Sequence, residues 1–337
     1  ELDPEDAKVH LTLADYYREE GDNEESYKQL KAAFSSPKLS IDTKVSILMS
    51  YYSLTEHLEK MKRQAMELCE ILINTHPDNP ISHAIYGDFL YKDGRNTEAK
   101  EQYQKSIDLD ENRPQVWSQL LFIESELGNK EELARDSEKA AELFPSNPVY
   151  YFFNGIANSQ LKNFNKAIKS LEMGLEFILE NNPLLVQFYS SLGDNYHSLK
   201  KHQKSDSLYN LALVIDPENV QVLNNYSYYL SLRNKDLERA EQMSKKCNEL
   251  VLDNASYLDT YAWILYQKEE YDKAKIWLEK AYEAGGNKSP VITEHFGDIY
   301  FKLQNKDKAI TMWKKAKALG EGSKLLDKKI ANETLYE

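Results

Sequence analysis

The chain has 337 residues, a net charge of −13 and 41% hydrophobic residues, so it is too long for one compact core but long enough for a continuous array. Its acidic balance argues against a nucleic-acid backbone or an anionic membrane surface as the main partner and favours cationic or neutral ones. No run approaches the ~18 apolar residues of a membrane span, so no direct membrane insertion is expected of this segment.

The opening residues, Glu1-Leu2-Asp3-Pro4-Glu5-Asp6, read like the tail of a repeat and lack an initiator Met. The natural protein is therefore expected to extend upstream and to carry there any targeting signal. The Lys-, Asn- and Tyr-rich composition, with 23 tyrosines, fits a bacterial protein. The expected compartment is then the cytoplasm, or a periplasmic or outer-membrane-tethered position, according to what precedes residue 1.

Further along, the chain repeats itself. Gly87 and Gly155 stand 68 residues apart, twice 34, and Gly193 and Gly297 stand 104 apart, three times 34 plus two. Pro77, Pro145 and Pro217 recur in step, with spacings of 68 and 72. A fixed period of this size with helical patterning inside it predicts a solenoid. Residues 80 to 113 show one unit: apolar Ile81, Tyr86, Phe89 and Leu90, a polar turn over 92–96, then Ala99, Tyr103, Ile107 and Leu109. The 3–4 spacing predicts two amphipathic helices, the first ended by a left-handed Gly94.

Ala99, Ala167, Ala274 and Ala309 open the second helices, and Ala33, Ala140, Ala212, Ala281 and Ala316 lie seven positions beyond the corresponding sites. Small side chains there predict two levels of close backbone approach. Units start near 7, 41, 80, 114, 148, 186, 220, 255 and 290. In the second unit Tyr51, Tyr52, Ala65, Cys69 and Pro77 fit, but the turn lacks Gly and is lengthened; the fifth is stretched around 177–182. Residues 322–331 read as a polar capping helix. No linker or composition shift appears, so 1–337 is expected to be a single array.

These residues resemble the tetratricopeptide repeat, most clearly over 220–284: Leu223, Tyr226, Tyr257, Tyr261-Ala262-Trp263, then Tyr271, Ala274, Leu278 and Ala281. The resemblance covers nearly the whole chain. It implies an all-α, right-handed α-solenoid of antiparallel helix pairs whose first helices line a concave groove. Positions 2, 5, 9 and 12 of each unit share one helical stripe by their spacing, and the resemblance places that stripe on the groove. It supplies the candidate partner-binding residues Phe122, Phe152, Ile156, Asp194, His197, Asn224, Tyr228, Asp259, Trp263 and Tyr266.

The mixture of rings with amides and hydroxyls suits a peptide-binding groove. Acids at Asp15, Asp88, Asp194, Asp259, Glu294 and Asp298 read either as solvated residues or as a preference for basic segments. No Lys or Arg occupies the fifth or ninth positions, which argues against the clamp that some members of the family use for an acidic C-terminus. Trp117 and Trp313 fall on packing positions.

No catalytic constellation stands out. The seven histidines (His10, His57, His76, His83, His197, His202, His295) lack metal-ligand spacing, and Cys69 and Cys247 read as buried small hydrophobes. Gly285-Gly286-Asn287-Lys288-Ser289 fails as a phosphate loop because Asn287 interrupts the required Gly-Lys step and no strand precedes it. The expectation is a non-catalytic scaffold without cofactor or metal that binds a protein or peptide, with aromatic or basic segments. A regulatory or targeting arm of a larger enzyme or envelope assembly is the alternative. Self-association through the terminal repeats is a third reading.

Overall fold

The computed structural model of the protein describes residues 6–52, 59–180 and 182–336. Among these residues the regular elements are helices in consecutive antiparallel pairs, an all-α solenoid of tetratricopeptide type. The chain divides between Phe177 and Ile178 into two compact units. The first holds α1 (Ala7–Glu19) with α2 (Asn23–Ser35), α3 (Ile41–Tyr52) with α4 (Glu59–Thr75), and α5 (Pro80–Lys92) with α6 (Asn96–Leu109). It continues with α7 (Pro114–Leu127) and α8 (Lys130–Leu143), then α9 (Pro148–Gln160) and α10 (Phe164–Leu175). The lengthened turn expected in the second pair lies outside the described residues.

The second unit pairs α11 (Asn182–Ser198) with α12 (His202–Ile215) and α13 (Val220–Leu232) with α14 (Leu237–Leu250). It also pairs α15 (Ala255–Gln267) with α16 (Tyr271–Glu283) and α17 (Pro290–Lys302) with α18 (Lys306–Leu319), and ends on α19 (Leu326–Asn332). Helix α11 opens four residues before the sequence-derived unit start near 186. Pro183 falls in its first turn, where a missing N–H leaves no bond unmade.

Local chemistry starts and stops these helices. The side chains of Asn79 and Asn147 accept hydrogen bonds from the backbone N–H of Ile81 and Val149, and each is followed by a proline at the first helical position. Asn219, Asn254 and Ser289 cap α13, α15 and α17 in the same way. Such caps satisfy N–H groups that the helix itself leaves free. Between the helices of a pair one residue turns left-handed. Gly94 and Gly128 do so at φ 76° and 72°, but Lys162, Lys200, Glu269 and Gln304 hold the same conformation at φ 59–63°. The packing of the pair dictates the turn, and a side chain there costs about 1–2 kcal/mol. A search for glycine alone therefore misses more than half of these turns among the described residues.

The small-residue levels are the closest approaches in each pair. Ala99, Ala167, Ala274 and Ala309, and likewise Ala33, Ala140, Ala212, Ala281 and Ala316, have no exposed surface. Glycine in the first helix makes a third level. A methyl on Gly87, Gly155, Gly193 or Gly297 would meet Tyr103, Leu171, Tyr209 or Trp313 at 2.4–2.9 Å. In each case a large side chain from the second helix lies across the glycine.

Beside three of those glycines stands an aspartate that holds the ring. Tyr103 donates its hydroxyl to Asp88 at 2.7 Å, Tyr209 donates to Asp194, and the Trp313 indole N–H donates to Asp298 at 2.8 Å. Each donor lies fifteen residues after its acceptor. Where the aspartate position instead carries Phe122, Ile156, Tyr228 or Trp263, the residue fifteen on is Ser137, Leu171, Met243 or Leu278. None of these four has an aromatic N–H or O–H to offer. Asp15, by contrast, faces Leu30 at that spacing, and it is exposed and bonds Arg18. The Gly-Asp element with its ring is a buckle between the two helices of a pair.

At the C-terminal end α19 differs from the polar cap that its sequence suggests. Leu326 is 2% exposed and Lys329 4%. The Lys329 ammonium donates to Glu294 at 2.9 Å and to both oxygens of Asp298 at 2.8 and 2.7 Å. Glu294 also accepts from the backbone N–H and hydroxyl of Ser323. Burial alone would raise the Glu294 carboxyl above the ordinary carboxylate range, but Ser323 and Lys329 outweigh it and hold it below. At Asp298 burial prevails instead and keeps the carboxyl above its ordinary value despite Lys329.

Two outcomes follow from this packing. Gly297→Ala gains about 1 kcal/mol of helix propensity but forces Trp313 off Asp298, so a net loss of roughly 1–3 kcal/mol is expected. Urea denaturation followed by tryptophan fluorescence measures it, and an unchanged or higher midpoint would refute the buckle. Lys329→Met strands two buried carboxylates, a loss of about 3–5 kcal/mol for a pair broken on one side. Faster proteolysis over residues 320–325 is the expected readout. Cleavage at the wild-type rate would mean that α19 is held by its apolar contacts alone.

Candidate functional site

In the second unit the first helices α11, α13, α15 and α17 carry the stripe, which is exposed at its first position and half-buried or buried beyond it. Position 2 is exposed in all four: Gln187, Gln221, Ser256 and Val291. Positions 5 and 9 are half-buried at Ser190, Asp194, Asn224 and Tyr228, but Asp259, Glu294 and Asp298 are buried, as is Tyr266 at position 12. Side chains on one first helix pack against the next first helix in line. The residues expected to share a surface therefore form several distinct clusters.

The first cluster surrounds Asp194. Besides Tyr209 it accepts from the Tyr229 hydroxyl at 3.0 Å, so its oxygens serve the packing of α11, α12 and α13. Burial raises its carboxyl above the usual range, and the two hydroxyls pull it partly back. The His197 ring stacks on Tyr229 with centroids 3.7 Å apart. Burial, with His202 and Arg233 nearby, pushes the His197 imidazole down to about 4, so it is neutral at pH 7.

The second cluster joins α15 and α17. Trp263 lies between two rings, with Tyr266 at 4.6 Å on its own helix and His295 at 4.1 Å, both near parallel. Asp259 accepts from the His295 Nδ1 at 2.9 Å. Burial would lower the His295 imidazole, but the Asp259 carboxylate overrides it, with smaller help from Asp298 and Glu294, and raises it above its ordinary value. Tyr228 stands beside this cluster, its phenol pushed up to about 12 by burial and then by the Asp259 charge.

Three polar atoms on this face are shielded from solvent and make no hydrogen bond within the chain: His197 Nδ1, Asn224 Oδ1 and Trp263 Nε1. The Asn224 amide N–H reaches only its neighbour Asn225, at 3.3 Å. Buried donors and acceptors are nearly always satisfied, and an unmet one costs about 1–3 kcal/mol. Rings and unmet polar atoms thus alternate from α11 to α15.

In the first unit the stripe is more open. Phe122 is 43% exposed and meets Tyr91 edge-on at 6.1 Å. Phe152 meets Phe153 edge-on at 6.3 Å, and Ile156 is half-buried. Trp117 and Trp313 are buried.

Sequence reasoning passed over Tyr229, which meets Asp194 and His197, His295, which meets Asp259 and Trp263, and Lys329, which pairs with Glu294 and Asp298. They lie off the stripe, or beyond the last pair, and no period points to them. Among the described residues no cluster of three or more His, Cys, Asp or Glu could hold a metal ion. Cys69 and Cys247 are free and buried. No helix among the described residues is long and apolar enough to cross a membrane.

The family model for the tetratricopeptide repeat matches residues 82–113, 186–219 and 255–284. Over 250 residues, 70% of its length, the chain is 23% identical to protein O-mannosyl-transferase TMTC3 of Homo sapiens, and the aligned part is 27% of that protein. In fold it is similar to the APC/C hetero-tetramer Cut9–Hcn1, with a TM-score of 0.62 and 12% identity over 98% of this chain and 67% of that one. Yeast Tom70 follows, with a TM-score of 0.52 and 17% identity over 98% and 82% of the two chains. At such identities the likeness is one of fold. With repeat matches in both units, helices in consecutive pairs and small residues at the close approaches, the chain carries tetratricopeptide repeats in an all-α solenoid of that type.

Proposed function

We propose that the protein is an interaction scaffold that holds a peptide or partner protein against the stripe of α11, α13 and α15. The observation that carries this reading is the row of unmet polar atoms, His197 Nδ1, Asn224 Oδ1 and Trp263 Nε1, set among rings on one face. His197, Asn224, Tyr228 and Trp263 are half-buried, so a bound peptide can contact their open surfaces, and once the covering side chains turn aside its backbone N–H and C=O groups would satisfy the shielded atoms. The neutral His197 can donate or accept. The acids contribute less than their number implies: Asp194 is held by tyrosines, Asp259 by His295, and Glu294 with Asp298 by Lys329. A preference for basic partner segments therefore rests on the overall charge of −13 more than on these side chains.

A second reading has its own support. The match to part of an O-mannosyl-transferase favours an array that serves as a regulatory or targeting arm of a larger enzyme. An immunoblot of the native cell distinguishes the two. A single species near the 39.1 kDa of this chain would remove the second reading.

The groove reading is tested on half-buried residues whose loss leaves the helices intact. Asn224→Ala with Tyr228→Ala is expected to weaken binding of the partner retained by the intact protein at least ten-fold, about 1.4 kcal/mol, with unchanged helical circular dichroism. Unaltered affinity in that folded variant would end the proposal.

A further inference from the structure

In the first unit the repeat replaces apolar packing residues with polar ones at two positions of one helix, α9. Tyr86 and Leu120 are buried at the seventh position of their units, and Leu192, Tyr226 and Phe296 are buried at the same position in the second unit. At that position α9 carries Asn154. At the eleventh, Leu90, Tyr196, Leu230, Leu265 and Tyr300 are buried, α7 carries a buried Glu124 and α9 carries Asn158. Both asparagines are 6–7% exposed. A cavity of about 730 Å³ opens over them between α8 and α10, within the ~300–1,000 Å³ typical of ligand sites.

The two amides form a chain of hydrogen bonds with a direction. Asn154 donates to the carbonyl of Ala134 at 2.8 Å and to the Ser137 hydroxyl at 3.1 Å. Its side-chain oxygen accepts from Ser170 at 2.6 Å and from the Asn158 amide at 3.0 Å. Asn158 spends its other N–H on the Asn154 carbonyl, also at 3.0 Å. The chain therefore ends on Asn158 Oδ1, whose only contact is the Asn163 amide at 3.5 Å, the outer limit of a hydrogen bond. Polarisation along such a chain strengthens the terminal acceptor. The floor presents an aligned acceptor to whatever enters.

The walls differ in charge. Helix α8 contributes Glu131, Glu138 and Glu142, while the charge of Arg135 on the same helix is paired with Asp136 at 2.8 Å. Helix α10 contributes Lys166 and Lys169. Tyr151, stacked on Phe177 at 5.8 Å, and Met173 add apolar surface. An acceptor floor is the complement of a backbone N–H. Opposed acidic and basic walls are the complement of a segment with charges of both signs.

We propose that this cavity is a second recognition site, separate from the stripe, for a peptide segment that donates a backbone N–H to Asn158 Oδ1. Its basic side chain lies toward α8 and its acidic one toward α10. Leucine or tyrosine stands at both positions in the repeats of α11, α13 and α15, α17 carries phenylalanine and tyrosine, and α5 carries tyrosine and leucine. The amides are kept in place of that packing.

The test is selection of phage-displayed random heptapeptides on the intact protein, with counter-selection on Asn158→Leu. Fluorescence anisotropy of the enriched peptides then measures affinity. The expected peptides carry at least one basic and one acidic residue and bind Asn158→Leu at least ten-fold more weakly. They lose as much on the surface variant Lys166→Glu with Lys169→Glu, and nothing on Asn224→Ala with Tyr228→Ala. Thermal melting of Asn158→Leu is expected at or above the wild-type temperature. Should that variant not fold, the double lysine variant serves alone for counter-selection. Failure to enrich any sequence over the variant, or enriched peptides that bind the cavity variants like wild type, overturns the proposal.

Discussion

The distance between the two helices of a pair governs the rest of this structure. A single amphipathic hairpin cannot bury its apolar face alone, so each must present a regular surface to the next. That regularity depends on close approach at fixed levels, set by fully buried alanines in the second helices and by glycines in the first. Where Gly87, Gly193 and Gly297 admit a ring, an adjacent aspartate accepts a hydrogen bond from it, and the pair is fixed in register as well as in distance. The cost of burying these carboxylates appears as the raised values of Asp88, Asp194 and Asp298.

This constraint explains why the architecture was legible in the sequence while much of the candidate surface was not. Period, apolar spacing and the alanine levels are properties of each unit alone, and each can be read from one unit and checked in the next. The role of an acid on the stripe depends instead on what stands opposite it. Asp88, Asp194 and Asp298 look alike as stripe residues, and their function as ring acceptors becomes visible only with the residue fifteen positions on. That pairing is present in the sequence as a covariation within the chain, since Phe122, Ile156, Tyr228 and Trp263 lack such a donor partner. The bond between Asp259 and His295 links different units and leaves no trace at any single period.

Lys329 shows the same limit at the end of the second unit. A short helix rich in Lys and Asp reads as a solvated cap, yet one lysine is drawn into a buried site by Glu294 and Asp298. Those two acids pack against α19 where the earlier first helices pack against the next first helix. Without Lys329 they would be buried carboxylates lacking a cation.

Deviation from the repeat is then most informative where it is costly and not compensated. The aspartates deviate from an apolar stripe but are answered by rings, and Lys329 deviates from a solvated cap but is answered by two carboxylates. Asn154 is answered by Ala134, Ser137, Ser170 and Asn158, but Asn158 Oδ1 receives only the long bond from Asn163, and the cavity over the two asparagines is open. Asn224 Oδ1 and Trp263 Nε1 are not answered within the chain at all. A sequence under pressure only to stack would replace all four. Local conflict with the fold is expected where a residue serves something other than the fold, and these positions define where partner chemistry enters an otherwise self-consistent array.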